Sequence, residues 1–281
     1  MSDGHLVDTH VHVWDRTVLR YPWLDSEPEL GRPALPARID RDAGADSMLH
    51  VQADCEPGQA MAEIDWVRSI DWPELSGIIA FADLERRAGR QSLASLADER
   101  LVVGVRQILR GMSASRLSRL APAFADLHSA ALTFDATVER GQLRELAALH
   151  ARSEATTVVL DHLGDPPLDA EWSSAEAAQW RDGIRAVAEC PAAVLKVSGL
   201  SAASREGERW QHTSRFVRFA FEAFGPARTV LGSDWPVTAP VSSPGIPWHR
   251  VLDTELTGDP AALEQVRSGT ANRTYGKEYV T

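Results

Sequence analysis

The chain has 281 residues, with 29 Lys and Arg against 40 Asp and Glu, for a formal net charge of −11 at pH 7. Hydrophobic residues make up 44% and charged residues 25%, the composition of a folded chain long enough to bury about 75% of the surface its unfolded form exposes. An acidic balance without a Lys/Arg run argues against nucleic acid or an anionic membrane as partner.

The two cysteines, Cys55 and Cys190, stand far apart and outside any CxxC pattern, which excludes a cysteine metal site and argues against a disulfide framework. The first ten residues, MSDGHLVDTH, lack the basic and apolar regions of a signal peptide, and no apolar run reaches the ~18 residues of a membrane span. A soluble cytoplasmic protein is expected.

In chain order, short apolar, β-branched runs predict eight strands. They are LVDTHV from Leu6, SMLHVQ from Ser47, GIIAFAD from Gly77, LVVGVRQ from Leu101, LTFDATV from Leu132, TVVLDHL from Thr157, AVLKVSG from Ala193 and TVLGSDW from Thr229. Between most of them lie segments of helical period: Gln59–Ile70, Ser115–His128, Gln142–Arg152, Ala175–Glu189 and Arg209–Phe224. Eight such units predict a (β/α)8 TIM barrel, one domain over residues 1–281. A doubly wound sheet is the alternative, but no GxGxxG turn follows the first strand. The proline-bearing stretch Tyr21–Asp42 reads as a long functional loop leaving the C-terminal end of strand 1.

The chemistry-bearing residues collect at the strand ends. His10 and His12, two apart in a strand, share a face, and a histidine pair there can hold a metal or an oxyanion or simply be a satisfied polar edge. Strand 4 ends in Arg106, strand 6 in Asp161-His162 and strand 8 in Asp234-Trp235. In a parallel barrel these ends meet at one mouth, forming a general acid/base and electrophile set. Asp161 reads as structural, because its neighbour His162 takes the orientation toward the mouth. Gln52 at the end of strand 2 reads either as a hydrogen-bonding partner of substrate hydroxyls or as a satisfied polar residue of the barrel rim. Trp14 and Trp235 read as substrate walls.

The segments DTHVHVWD (8–15), YPWL (21–24), VQAD (51–54), GVR (104–106), VLDHLGDP (159–166), LKVSGL (195–200), FGPARTVLGSDWPV (224–237) and GTANRTYG (269–276) run nearly the full chain. With them the sequence resembles the amidohydrolase-related lactonases, a group of the amidohydrolase superfamily that includes sugar-acid lactonases and 2-pyrone-4,6-dicarboxylate lactonase. The resemblance implies an amidohydrolase-like barrel and hydrolysis of a lactone by water attack on the ester carbonyl. It places Asp234 as the base and His162 and Arg106 as catalytic partners. His10, His12, His162 and Asp234 are the ligands if a metal is bound, so the cofactor expectation is none or one divalent ion such as zinc. Strand 7 carries Lys196 and Ser198 where metal-dependent members often offer histidine.

Two departures bear on substrate: Gln107 follows Arg106 where sugar-lactonase relatives usually carry histidine, and Asp165 replaces a lysine. Arg106, Arg110 and Lys196 stand as cations of the strand ends, against Asp165 and Asp169. With a net charge of −11, a neutral hydroxyl-rich lactone touching Gln52, Gln107 and the tryptophans is favoured over a dicarboxylate. The competing chemistry is a metal-dependent decarboxylase of an aromatic or unsaturated acid, which released carbon dioxide would distinguish.

Overall fold

The protein, seen in a computed structural model, is described over residues 4–39, 45–153, 155–201, 203–238 and 246–276. Eight strands form one parallel sheet in sequential order: β1 Val7–Val11, β2 Ser47–Val51, β3 Leu75–Phe81, β4 Val102–Ile108, β5 Thr133–Thr137, β6 Val158–Leu160, β7 Ala193–Val197 and β8 Thr229–Leu231. The backbone N–H groups of His12 and Asp234 bond across to the carbonyls of Trp235 and His10, both at 2.8 Å. These bonds close β1 against the segment after β8. Each predicted strand corresponds to an observed one.

The helices are α1 Ala60–Ser69, α2 Arg87–Gln91, α3 Leu93–Asp98, α4 Ala114–Ser118, α5 Ala121–Ser129, α6 Leu143–His150, α7 Ala175–Ala188, α8 Gly207–Phe224, α9 Pro260–Glu264 and α10 Thr270–Tyr275. The single helix expected over Ser115–His128 is two, α4 and α5. Pro122 sits in the first turn of α5, where its missing N–H is harmless, whereas inside a continuous helix it would break the ladder.

Inside the barrel, Val7, Leu49, Val51, Ile79, Val103, Val159, Val194 and Val230 pack together with Ala271 and Tyr275 of α10. A larger apolar layer fills the space between strands and helices. The loop after β1 is ordered by short helical turns at Pro22–Asp25, Pro28–Leu30 and Pro36–Arg38 and by an antiparallel bridge between Trp14 and Ala34. The end of the expected Tyr21–Asp42 loop, residues 40–42, lies outside the described residues. No helix among the described residues is long and apolar enough to cross a membrane.

Candidate active site

The register of β1 shifts between Asp8 and Val11. Such an irregularity re-aims side chains, so Val7 joins the apolar interior while His10 and His12 also turn inward. Both histidines are buried. His12 donates from Nδ1 to the Val51 carbonyl at the end of β2, 2.8 Å away. A carbonyl only accepts, so Nδ1 carries the proton and Nε2 presents its lone pair. That Nε2 lies 3.1 Å from His10 Nε2, and Asp234 Oδ1 stands 3.5 Å from both nitrogens.

Three potential ligand atoms thus converge at 3.1–3.5 Å. A tetrahedral zinc with bonds of about 2.0–2.1 Å sets its ligand atoms about 3.3–3.4 Å apart. The donor set, two imidazoles and a carboxylate beside an open cleft, fits one divalent ion. His162 is not within this triangle. It groups instead with His10 and Asp161, its ring centroid 4.6 Å from that of His10 and its Nδ1 2.9 Å from Ser198 Oγ.

His162 and Asp234 both lie beyond their strands in left-handed backbone, at φ 52 and φ 57. Leu163, Gly164 and Asp165 continue the left-handed run. Space for the rings is made by glycine: a Cβ on Gly199 would come within 2.7 Å of His162 Nδ1, and one on Gly232 within 2.6 Å of His10 Cβ.

Beneath the histidines lies a sealed ion cluster. Lys196 of β7 bonds Asp135 of β5, reaches Asp161 Oδ1 at 3.2 Å and stands 3.4 Å from His10 Nδ1. Tyr275 donates to Asp135 at 2.9 Å and Thr137 to Asp161 at 2.8 Å. Burial alone would lower the Lys196 ammonium, but the two carboxylates raise it. Burial and the Lys196 charge push His10 well below the ordinary histidine range, so it is neutral. Burial also lowers His162. Burial would raise Asp234, yet the His162 imidazole beside it holds its carboxyl below the usual carboxylate range.

Asp161, read as structural, belongs to the sealed cluster and stands 3.5 Å from His10 Nδ1. One expectation changes here. Lys196 has no exposed surface and is neutralised below the site, so it is no cation of the mouth.

Above the triangle opens a cleft of about 970 Å³, lined by His12, Arg106, His162 and Asp234 at its centre. His10, fully buried, does not line it and acts from below. Arg106 is 5% exposed; its Nη1 is 3.4 Å from His10 Nε2, and its Nε has no partner among the described residues. A buried guanidinium without a carboxylate is costly unless a ligand completes it.

Arg110 and Arg140 also line the cleft, as do Asp54, Asp165, Asp169 and Glu176. Arg140 is spoken for by Asp165, at 3.6 Å.

Trp14, Gln52 and Trp235 are not among the lining residues. Trp14 is buried, and its indole N–H donates to Leu30 and Arg32 carbonyls at 3.2 and 3.1 Å, so it anchors the loop. The wall position belongs to its neighbour Trp23. Trp235 is 7% exposed and packs in the core.

Gln52 accepts from the Asp54 N–H at 2.7 Å, and Gln107 from the Leu84 N–H at 3.0 Å. Gln52 braces the turn at the cleft rim, and Gln107 braces the segment after β3. The inward positions next to them belong to Ala53 and Arg106.

The amidohydrolase profile matches residues 7–277. The L-fucono-1,5-lactonase of Burkholderia multivorans is 29% identical over 255 residues, 82% of each chain. A crystal structure of an amidohydrolase from Burkholderia multivorans with bound zinc superposes with a TM-score of 0.81 at 26% identity, covering 97% of this chain and 99% of that one. A probable 2-pyrone-4,6-dicarboxylic acid hydrolase from Acinetobacter baumannii shares the fold, with a TM-score of 0.71 at 17% identity over 97% of this chain and all of that one. With eight ordered parallel strands, inward histidines on the first and an aspartate after the last, the chain belongs to the amidohydrolase family.

Proposed function

We propose that the protein opens the ring of a neutral, hydroxylated sugar lactone by water attack on the ester carbonyl, with L-fucono-1,5-lactone as the first compound to test. The observation that carries this reading is Arg106, a buried guanidinium that makes no ion pair among the described residues and lines the cleft with Asp234 and His12. The family and the lactonase relative support a hydrolase acting on lactones. The cleft's three arginines stand against Asp54, Asp165, Asp169, Glu176 and Asp234, a balance that disfavours a dicarboxylate.

In this mechanism Asp234 takes a proton from water as the water oxygen bonds to the lactone carbon. Negative charge develops on the former carbonyl oxygen, where Arg106 and His162 donate hydrogen bonds. The ring C–O bond then breaks, and the proton held by Asp234 passes to the leaving alkoxide. His10 keeps Asp234 in place from below, and Ser198 fixes the His162 ring. His10, His12 and Asp234 would hold a zinc ion, which when bound would supply Lewis acidity toward the carbonyl.

A pH-indicator screen of sugar and aromatic lactones, run with and without chelator, tests the proposal. Rapid acid release from L-fucono-1,5-lactone or a related aldonolactone supports it. Carbon dioxide release from an aromatic acid with every lactone inert would replace it with the decarboxylase chemistry.

A further inference from the structure

Three side chains converge on one turn at the rim of the cleft. Glu63 of α1, 2% exposed, accepts from the Ala53 N–H at 3.0 Å; Gln52 accepts from the Asp54 N–H at 2.7 Å; and Trp23 donates to the Ala53 carbonyl at 2.8 Å. The turn they hold leaves Asp54 in left-handed backbone at φ 58, a conformation that costs a non-glycine residue free energy and persists only where surroundings enforce it. Val51, three residues before Asp54, orients His12, so this turn is tied to the catalytic floor. Asp54 is exposed, lines the cleft with Trp23, and has no ion-pair partner among the described residues.

We propose that Asp54 determines specificity: its carboxylate accepts hydrogen bonds from the ring hydroxyls of a sugar lactone whose C–H face rests on the Trp23 indole. This inference rests on the lactonase reading above. A carboxylate accepts from two neighbouring hydroxyls at once, and an aromatic face covers the apolar side of a pyranose-sized ring. The site thereby reads hydroxyl groups remote from the reacting carbonyl. Such a contact stabilises ground and transition states together and falls mainly on KM.

The test compares Asp54→Gly and Asp54→Asn, two residue types that accept positive φ, on L-fucono-1,5-lactone and on δ-valerolactone, the same ring without hydroxyls. Hydrogen bonds to a charged group predict that Asp54→Gly loses about 10- to 100-fold in kcat/KM on the sugar lactone, chiefly through KM. Asp54→Asn falls between it and wild type. Neither variant shifts kcat/KM on δ-valerolactone by more than about twofold, and thermal melting verifies that both fold. Equal losses on both lactones, or no loss on either, overturn the inference while leaving the lactonase reading intact. A wild-type protein that opens neither ring overturns both.

Discussion

His162 and Asp234 stand in left-handed backbone at φ 52 and φ 57, each costing of order 1 kcal/mol or more in a residue with a Cβ. The motifs DHLG and GSDW made both residues legible in the sequence, but as strand ends. Alternation along a strand cannot reveal that β6 ends two residues before His162 and β8 three residues before Asp234, so that these side chains swing over the barrel. The same turn brings Asp161 under His10, which is why its contact with the site was missed. Because asparagine tolerates positive φ, Asp234→Asn should fold as wild type does while kcat falls by at least about a hundredfold, the order expected for loss of a general base. Steady-state kinetics with a melting curve checks this, and near-native kcat would remove Asp234 as the base. His12→Ala removes one corner of the ligand triangle and should lower the zinc per chain measured by elemental analysis after dialysis against dilute zinc. Wild type should hold at most one ion.

At the scale of elements, the end of β2 organises the cleft: Val51 holds His12, Ala53 holds Trp23, and Glu63 of α1 holds Ala53. The eight strands were legible because β-branched runs alternate with helical periods. Which of two adjacent residues faces inward was not, since buried parallel strands are apolar on both sides and the register shifts at β1, β2–β3 and β3–β4 reset the alternation. Gln52 and Gln107, offered as contacts to a substrate, are absent from the cleft lining and accept backbone N–H bonds instead. Glu63 gives this region a pH signature. Burial raises its carboxyl from 4.5 to about 7, with the Ala53 N–H and Arg106 opposing. A folded value above the unfolded one means that its contribution is fully present below pH 4.5 and is lost as pH rises through 7. The loss is about 3 kcal/mol at ~1.36 kcal/mol per unit. Glu63→Gln keeps an acceptor for Ala53 and abolishes the titration, so its Tm should gain on wild type between pH 5 and pH 8. An offset that does not change with pH would refute the assignment.

Across the whole molecule, the barrel is closed at its base by α10, whose Tyr275 reaches Asp135 and thus the Lys196 cluster. This long-range tie between the end of the chain and β5 has no local sequence signal, because buried charges pair only once the strands are assembled. Removing one partner of a buried ion cluster strands the others. Lys196→Met should lose about 3–5 kcal/mol in denaturant unfolding, whereas Tyr275→Phe should lose about 1–2 kcal/mol. Equal and small effects would mean that the cluster is hydrated. The central claim, water attack on a lactone carbonyl, is tested most directly by ring opening of L-fucono-1,5-lactone in ¹⁸O-labelled water followed by mass spectrometry. The account predicts one label in the new carboxylate and none in the released hydroxyl. Label on the hydroxyl, or no ring opening at all, would contradict it.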